Sequence, residues 1–110
     1  PLGRELMAST SLRREFKFSI LVPAADYYPQ AGAEEQVLLQ GVVDCCFETL
    51  EGITVVDFKT DRVDRRSVAA RAEEYRPQLA AYSRALEEIT GKPVIRRCLW
   101  FFALDQVVDV

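Results

Sequence analysis

The sequence predicts an α/β domain with a mixed central sheet, and three features carry that expectation. The hydrophobic patterns run in the order strand, strand pair, helix, strand. The strand pair is apolar on both faces, as strands are when they lie in the middle of a layered domain. The chain has 110 residues, enough for one small domain with a single core.

The elements follow in order. Residues 2–9 read as the end of a helix, closed by a polar break at Ser9, Thr10 and Ser11. Residues 13–22 alternate, with Phe16, Phe18 and Ile20 on one face and Glu15, Lys17 and Ser19 on the other, and Pro23 closes this strand. Residues 24–35 hold Pro29 and Gly32 and read as a loop. Residues 36–49 and 53–60 form two strands around the turn signal Leu50-Glu51-Gly52, a β-hairpin. Leu39, Val43 and Phe47 are expected on one of its faces, Leu38 and Val42 on the other. Residues 61–66 are charged and irregular. Residues 67–90 are helical, with Leu79, Tyr82, Ser83 and Leu86 at spacings of three and four. Pro77 suits a first turn better than an interior. A short helix is therefore expected first and a main one over residues 76–90, capped by Gly91 and stopped by Pro93. Residues 94–104 form the last strand.

Composition excludes several classes. Apolar residues make up 49% and charged ones 28%, a globular balance. No apolar stretch approaches the roughly 20 residues that cross a bilayer, and nothing resembles a secretion signal, so no membrane partner and a cytoplasmic location are expected. The net charge of −3 argues against a module that merely coats nucleic acid, but not against a nuclease whose carboxylates hold a cation. With no histidine, no CxxC and three cysteines, Cys45, Cys46 and Cys98, zinc and iron–sulfur sites are not expected; buried free thiols are. The start at Pro1-Leu2-Gly3, without Met, suggests one piece of something longer.

The hairpin carries the chemistry. If Leu50 faces Ile53, then Glu48 faces Val55, Cys46 faces Asp57, and Asp44 faces Lys59. Asp44, Asp57 and Lys59 then share one face, provided the loop is even. Two carboxylates about 5 Å apart repel by on the order of 3 kcal/mol at an effective dielectric near 20. A divalent cation removes that repulsion. Mg²⁺ takes one or two carboxylates with water and substrate phosphate, and the backbone carbonyl of Phe58 could add an oxygen. Lys59 would orient or deprotonate a water and stabilise charge on the phosphate. A cross-strand Asp44–Lys59 ion pair, with Asp57 solvated at a sheet edge, would explain the same pattern.

The string Gly41-Val42-Val43-Asp44-Cys45-Cys46-Phe47, then Val55-Val56-Asp57-Phe58-Lys59-Thr60, resembles the PD-(D/E)xK nucleases of the RecB type, in the order G-x-x-D and D-[YF]-K-[ST]. Gln78-Leu79-Ala80-Ala81-Tyr82 is similar to their Q-x-x-x-Y element. Arg14-Glu15-Phe16-Lys17-Phe18, Asp61-Arg62-Val63 after the lysine, and Tyr75-Arg76-Pro77-Gln78-Leu79 are similar to the C-terminal nuclease domains of the AddA family, the helicase/nuclease subunits of bacterial AddAB double-strand-break repair complexes. The resemblance covers nearly the whole chain.

It implies a restriction-endonuclease-like core with flanking helices and a Mg²⁺- or Mn²⁺-dependent DNA exonuclease activity. It also implies a bacterial helicase/nuclease with a second, AddB-like protein as partner. Asp44 and Asp57 would bind metal and Lys59 would assist the water. Gln78 and Tyr82 would line the site from the helix, although Tyr82 also suits core packing. Glu15 matches an acidic position near the metals in relatives, and equally an exposed strand charge. Arg76 fits a solvated position at a helix start, and Arg13, Arg14, Arg96 and Arg97 fit surface charges. Relatives carry a metal-binding histidine on an upstream helix, and this sequence has none. The isolated piece is therefore expected to be weakly active or inactive. A different enzyme of the superfamily, and a catalytically incomplete fold that docks DNA or a partner subunit, remain alternatives.

Overall fold

The computed structural model describes Leu2, Gly3 and residues 12–110. Leu2 and Gly3 are helical; the rest of the helix expected over residues 2–9, and the polar break after it, lie outside the described residues. Five strands and one long helix follow: β1 (Arg13–Pro23), β2 (Gln36–Glu48), β3 (Ile53–Lys59), α1 (Val68–Thr90), β4 (Val94–Phe101) and β5 (Gln106–Asp109). A turn of 3-10 helix, Ala24–Asp26, opens the long loop after β1.

The strands lie in sequence order, β1-β2-β3-β4-β5. Every neighbouring pair is antiparallel except β3 and β4, which are parallel. A parallel pair needs a crossover long enough to return the chain to the starting edge, and α1 is that crossover. The mixed α/β sheet read from the sequence is thus the architecture observed.

Two apolar layers flank the sheet. On the helix side Val43, Val55, Leu99 and Phe101 pack with Ala72, Leu79, Ala85 and Leu86 of α1. Burying a leucine such as Leu79 or Leu86 stabilises the fold by about 1.5–3 kcal/mol. On the other side Cys45, Phe47, Val56 and Cys98 form a smaller cluster with Leu2. All three cysteines are buried free thiols.

The structure corrects four expectations. The helix is continuous through Pro77 rather than split before it. Pro77 is exposed, so the Glu73 carbonyl that loses its i+4 donor can face water, and the packing of Leu79 and Leu86 outweighs the local penalty. The expected final strand ends at Phe101. A turn with Asp105 at φ 47° follows, and the chain returns as β5. The hairpin register is Glu48↔Ile53 and Cys46↔Val55, two residues away from the expected one. The loop holds four residues, closed by Thr49 N–H donating to the Gly52 carbonyl at 2.7 Å. Finally, Val43 and Phe47 lie on opposite faces. Strand alternation slips between them, at Asp44.

The ends of α1 follow local chemistry. The Asp64 carboxylate accepts the N–H groups of Arg66 and Ser67, both at 2.9 Å, ahead of the first turn. Gly91 takes the left-handed conformation, φ 72°, and donates its N–H to Glu87 O at 2.9 Å.

Candidate active site

The slip in β2 builds the site. Val43 faces the helix side; Cys45 and Phe47 face the other; Cys46 faces the helix side again. With period two restored after Asp44, that residue turns toward the helix with Cys46. In β1 the register passes from Arg14↔Cys45 to Phe16↔Val43, which sets Glu15 opposite Asp44. Glu15 has φ 51°, a strained conformation for a glutamate inside a strand. Both strands are therefore irregular at the same rung.

Continuing the β2–β3 register one step beyond Cys45↔Val56 places Asp44 opposite Asp57, not opposite Lys59 as expected. A two-residue slip preserves the face, so Asp44, Asp57 and Lys59 all lie under α1. The Asp44 Oδ2 atom accepts the backbone N–H of Phe58 at 2.9 Å. Asp57 is buried, at 3% exposure, which removes the solvated-edge reading. Its Oδ2 lies 2.6 Å from Lys59 Nζ, yet that oxygen receives no hydrogen bond of good geometry among the described residues. The Asp44–Lys59 ion pair of the alternative reading is replaced by a contact within β3.

Burial pushes the Asp57 pKa up to about 6, and the neighbouring Asp44 carboxyl adds to the rise against the pull of Lys59. The site thus holds a carboxylate that is hard to ionise without a further positive charge.

Helix α1 supplies the roof. Lys59 Nζ donates to Gln78 Oε1 at 2.9 Å. Tyr82, one turn further, meets Phe18 edge-on at 5.8 Å between centroids. Burial first, then the charges of Asp57 and Asp44, raise its hydroxyl pKa. Tyr82 therefore serves the core and borders the carboxylates at once. Gly41 explains itself here: a Cβ would stand 2.9 Å from Phe18 Cζ and 3.1 Å from Tyr82 Cε1. The glycine of the G-x-x-D string makes room for the tyrosine of the helix.

The remaining candidates point to solvent or pair elsewhere. Glu15 stands on the rung of Asp44, but its side chain is exposed. Arg76 pairs with Glu73 at 2.7 Å on the exposed face of the helix. Arg96 pairs with Asp109 at 3.0 Å, and Arg97 donates to Val110 O at 3.2 Å. Sequence reasoning missed Tyr75, whose ring centroid is 3.8 Å from Lys59 Nζ, and the Asp61 and Arg71 side chains behind it. Its place three residues before Gln78, hence on the same helix face, was the available signal.

With this geometry in view, comparison with known proteins decides the family. The profile of the PD-(D/E)XK nuclease superfamily matches residues 2–108. The chain belongs to the PD-(D/E)XK nuclease superfamily. Among its relatives is AddA of Acetivibrio thermocellus, named for its place in an ATP-dependent helicase/nuclease. It is 43% identical over 106 residues, covering 93% of this chain and 8% of the relative. The protein of the same name from Carboxydothermus hydrogenoformans is 40% identical over 111 residues, covering 100% and 10%. One from Bacillus cereus is 36% identical over 118 residues, covering 99% and 10%. The chain thus spans about a tenth of the length of these curated relatives.

A hard divalent cation, which this superfamily generally uses, fits the donor set. Two carboxylates converge, and the buried Asp57 Oδ2 faces the Lys59 ammonium at 2.6 Å without a hydrogen bond of good geometry among the described residues.

Proposed function

We propose that this chain is a metal-dependent nuclease module that hydrolyses DNA phosphodiesters. In this reading it is the nuclease part of a longer bacterial, cytoplasmic ATP-dependent helicase/nuclease of double-strand-break repair, acting with a second, AddB-like protein. The observation that carries the reading is the buried Asp57 carboxylate, set beside Asp44 and 2.6 Å from the Lys59 ammonium.

Asp44 and Asp57 would hold Mg²⁺ or Mn²⁺. The Phe58 amide points toward β2, where Asp44 receives it; its carbonyl, on the same edge of the strand, is the candidate third oxygen. A cation bound there supplies Lewis acidity toward a phosphate oxygen. Lys59 holds a proton-bearing ammonium where an attacking water and the phosphate would meet, and Gln78 Oε1 fixes its direction. Tyr82 and Phe18 keep the inner wall apolar, which strengthens each charge interaction in the site.

The test uses the longer protein that contains this domain. Linear DNA with Mn²⁺ should be cleaved by the wild type, while Asp57→Ala and Lys59→Ala abolish cleavage and leave circular dichroism unchanged. Equal activity in all three proteins would remove these residues from the chemistry. A second reading, an incomplete site that only docks DNA or a partner subunit, draws on the donor set. Among the described residues no group of three or more His, Cys, Asp or Glu side chains could hold a metal. DNA binding without cleavage by the intact wild type would favour it.

A further inference from the structure

Lys59 is gripped on more sides than the carboxylate and the glutamine provide. Its Nζ lies 2.6 Å from Asp57 Oδ2, 2.9 Å from Gln78 Oε1, and 3.8 Å from the centroid of the Tyr75 ring. An ammonium within about 6 Å of a ring centroid is attracted by the negative face of the ring. The lysine side chain is 13% exposed, so water screens that attraction little.

The ring is itself held. The Tyr75 hydroxyl donates to the Asp61 carboxylate, 2.8 Å from Oδ2 and 3.1 Å from Oδ1. Arg71 donates to the same carboxylate at 2.7 Å. Asp61 stands two residues after Lys59, and Tyr75 stands on α1 one turn before Gln78. The loop leaving β3 and the helix above it are therefore clasped together over the lysine. Core packing alone asks for none of this: a leucine or methionine at position 75 would fill apolar space without a face for the ammonium or a hydroxyl for Asp61.

We propose that Tyr75 is a positioning residue for Lys59: its ring face fixes the ammonium between Asp57 and Gln78, and the Asp61–Arg71 pair fixes the ring. A lysine carries about 2 kcal/mol of rotamer entropy on its four-carbon stem. A group that must meet one phosphate oxygen gains from having that freedom removed beforehand. The role in cleavage rests on the nuclease reading above; the grip on Lys59 does not.

Two measurements on the longer protein separate these. The first is reductive methylation of the metal-free protein, followed by mass spectrometry of the peptides that contain Lys17, Lys59 and Lys92. In wild type and Tyr75→Phe, Lys59 should react slowly. In Tyr75→Leu it should react several-fold faster, with Lys17 and Lys92 unchanged as internal references. The second is cleavage of linear DNA with Mn²⁺. Tyr75→Leu should lower kcat by about tenfold to a hundredfold with KM little changed, and Tyr75→Phe should recover most of the loss. Gln78→Leu removes a second contact of the ammonium on the exposed face of the helix, so it serves if Tyr75→Leu does not fold; with the Tyr75 ring still in place it should raise Lys59 labelling less than Tyr75→Leu would and still lower kcat.

Equal Lys59 labelling in wild type and folded Tyr75→Leu would overturn the proposal. So would equal kcat loss in Tyr75→Phe and Tyr75→Leu, or, when Tyr75→Leu is unfolded, Lys59 in Gln78→Leu labelled as fast as Lys17, which would show that the ring alone holds nothing. A wild type that never cleaves DNA, yet shows the labelling contrast, would overturn the nuclease reading while supporting the grip of Tyr75 on Lys59.

Discussion

Asp44 reaches across the hairpin and accepts the backbone N–H of Phe58 at 2.9 Å. The first carboxylate is thereby tied to the peptide adjoining the second, so a cation ligand candidate also holds the strand pair together where the ladder is irregular.

The two roles come apart by substitution. Asp44→Ala leaves the Phe58 amide without its acceptor and should destabilise the metal-free protein by about 1–3 kcal/mol. Asp44→Asn keeps a carbonyl acceptor and should retain most of the stability, but bind Mg²⁺ or Mn²⁺ more weakly. Urea unfolding in a chelator measures the first effect and calorimetry the second. Unchanged cation affinity in Asp44→Asn would remove this residue from the ligand set.

Asp57 predicts an inverted pH dependence. Burial, reinforced by Asp44, raises its pKa to about 6 in the folded protein, above the unfolded value. Its favourable contribution is therefore complete below the ordinary carboxylate range and disappears as pH rises through about 6. In the metal-free protein Asp57→Asn should be the more stable at neutral pH. The margin is up to about 3 kcal/mol, less what Lys59 loses with its counter-ion. That advantage should shrink as the pH falls toward about 4. Wild-type and mutant stability curves that run parallel across this window would show a carboxyl that titrates normally.

Gly41→Ala tests the space beneath the tyrosine. The added methyl would sit 2.9 Å from Phe18 Cζ and 3.1 Å from Tyr82 Cε1, so both rings must shift. Overpacking of this kind typically destabilises by about 1–3 kcal/mol. A near-ultraviolet dichroism change should accompany the lower melting temperature. A melting temperature equal to the wild type would show that Tyr82 is free to move aside.

Pro77→Ala should act in the opposite direction on stability. It restores an N–H to the Glu73 carbonyl in mid-helix, and an interior proline is about 3 kcal/mol less favourable than alanine. Thermal unfolding should show a stabilised protein. Position 77 separates Tyr75 from Gln78, so kcat with DNA should not rise with stability. A lower melting temperature would mean that the proline shapes the helix for its packing on the sheet.

Much of this arrangement could be read from the residues. Period-two patterning located β1, β2 and β3, and β2 and β3 do lie inside the sheet; Leu38 and Val42, however, expected on a covered second face, are exposed. The shared face of Asp44, Asp57 and Lys59 survived an incorrect register because the error was two residues and side-chain parity repeats every two. Two further offsetting features stayed hidden. Thr49 closes a four-residue loop in place of the expected tight turn, and the slip at Glu15 and Asp44 needs both strands to be irregular together. The unbroken α1 was not legible because packing of Leu79 and Leu86 overrides the local preference of Pro77. Strand β5 is four residues long and begins after an unusual φ at Asp105, too short for a periodic signal. Spacing put Tyr75 on the helix face of Gln78, but its contact with Lys59 joins a helix to a strand through tertiary packing, which that spacing alone does not give.

The crossover path of α1 sets a lower bound on transplantation. A hairpin peptide ending at Lys59 would carry both aspartates and the lysine, but neither Gln78 nor Tyr75. A graft into another scaffold would have to run on through Gln78, and it would need a strand beyond to seat the helix, because β4 supplies Leu99 and Phe101 beneath it. This cluster of charges is portable only together with the connection that follows it.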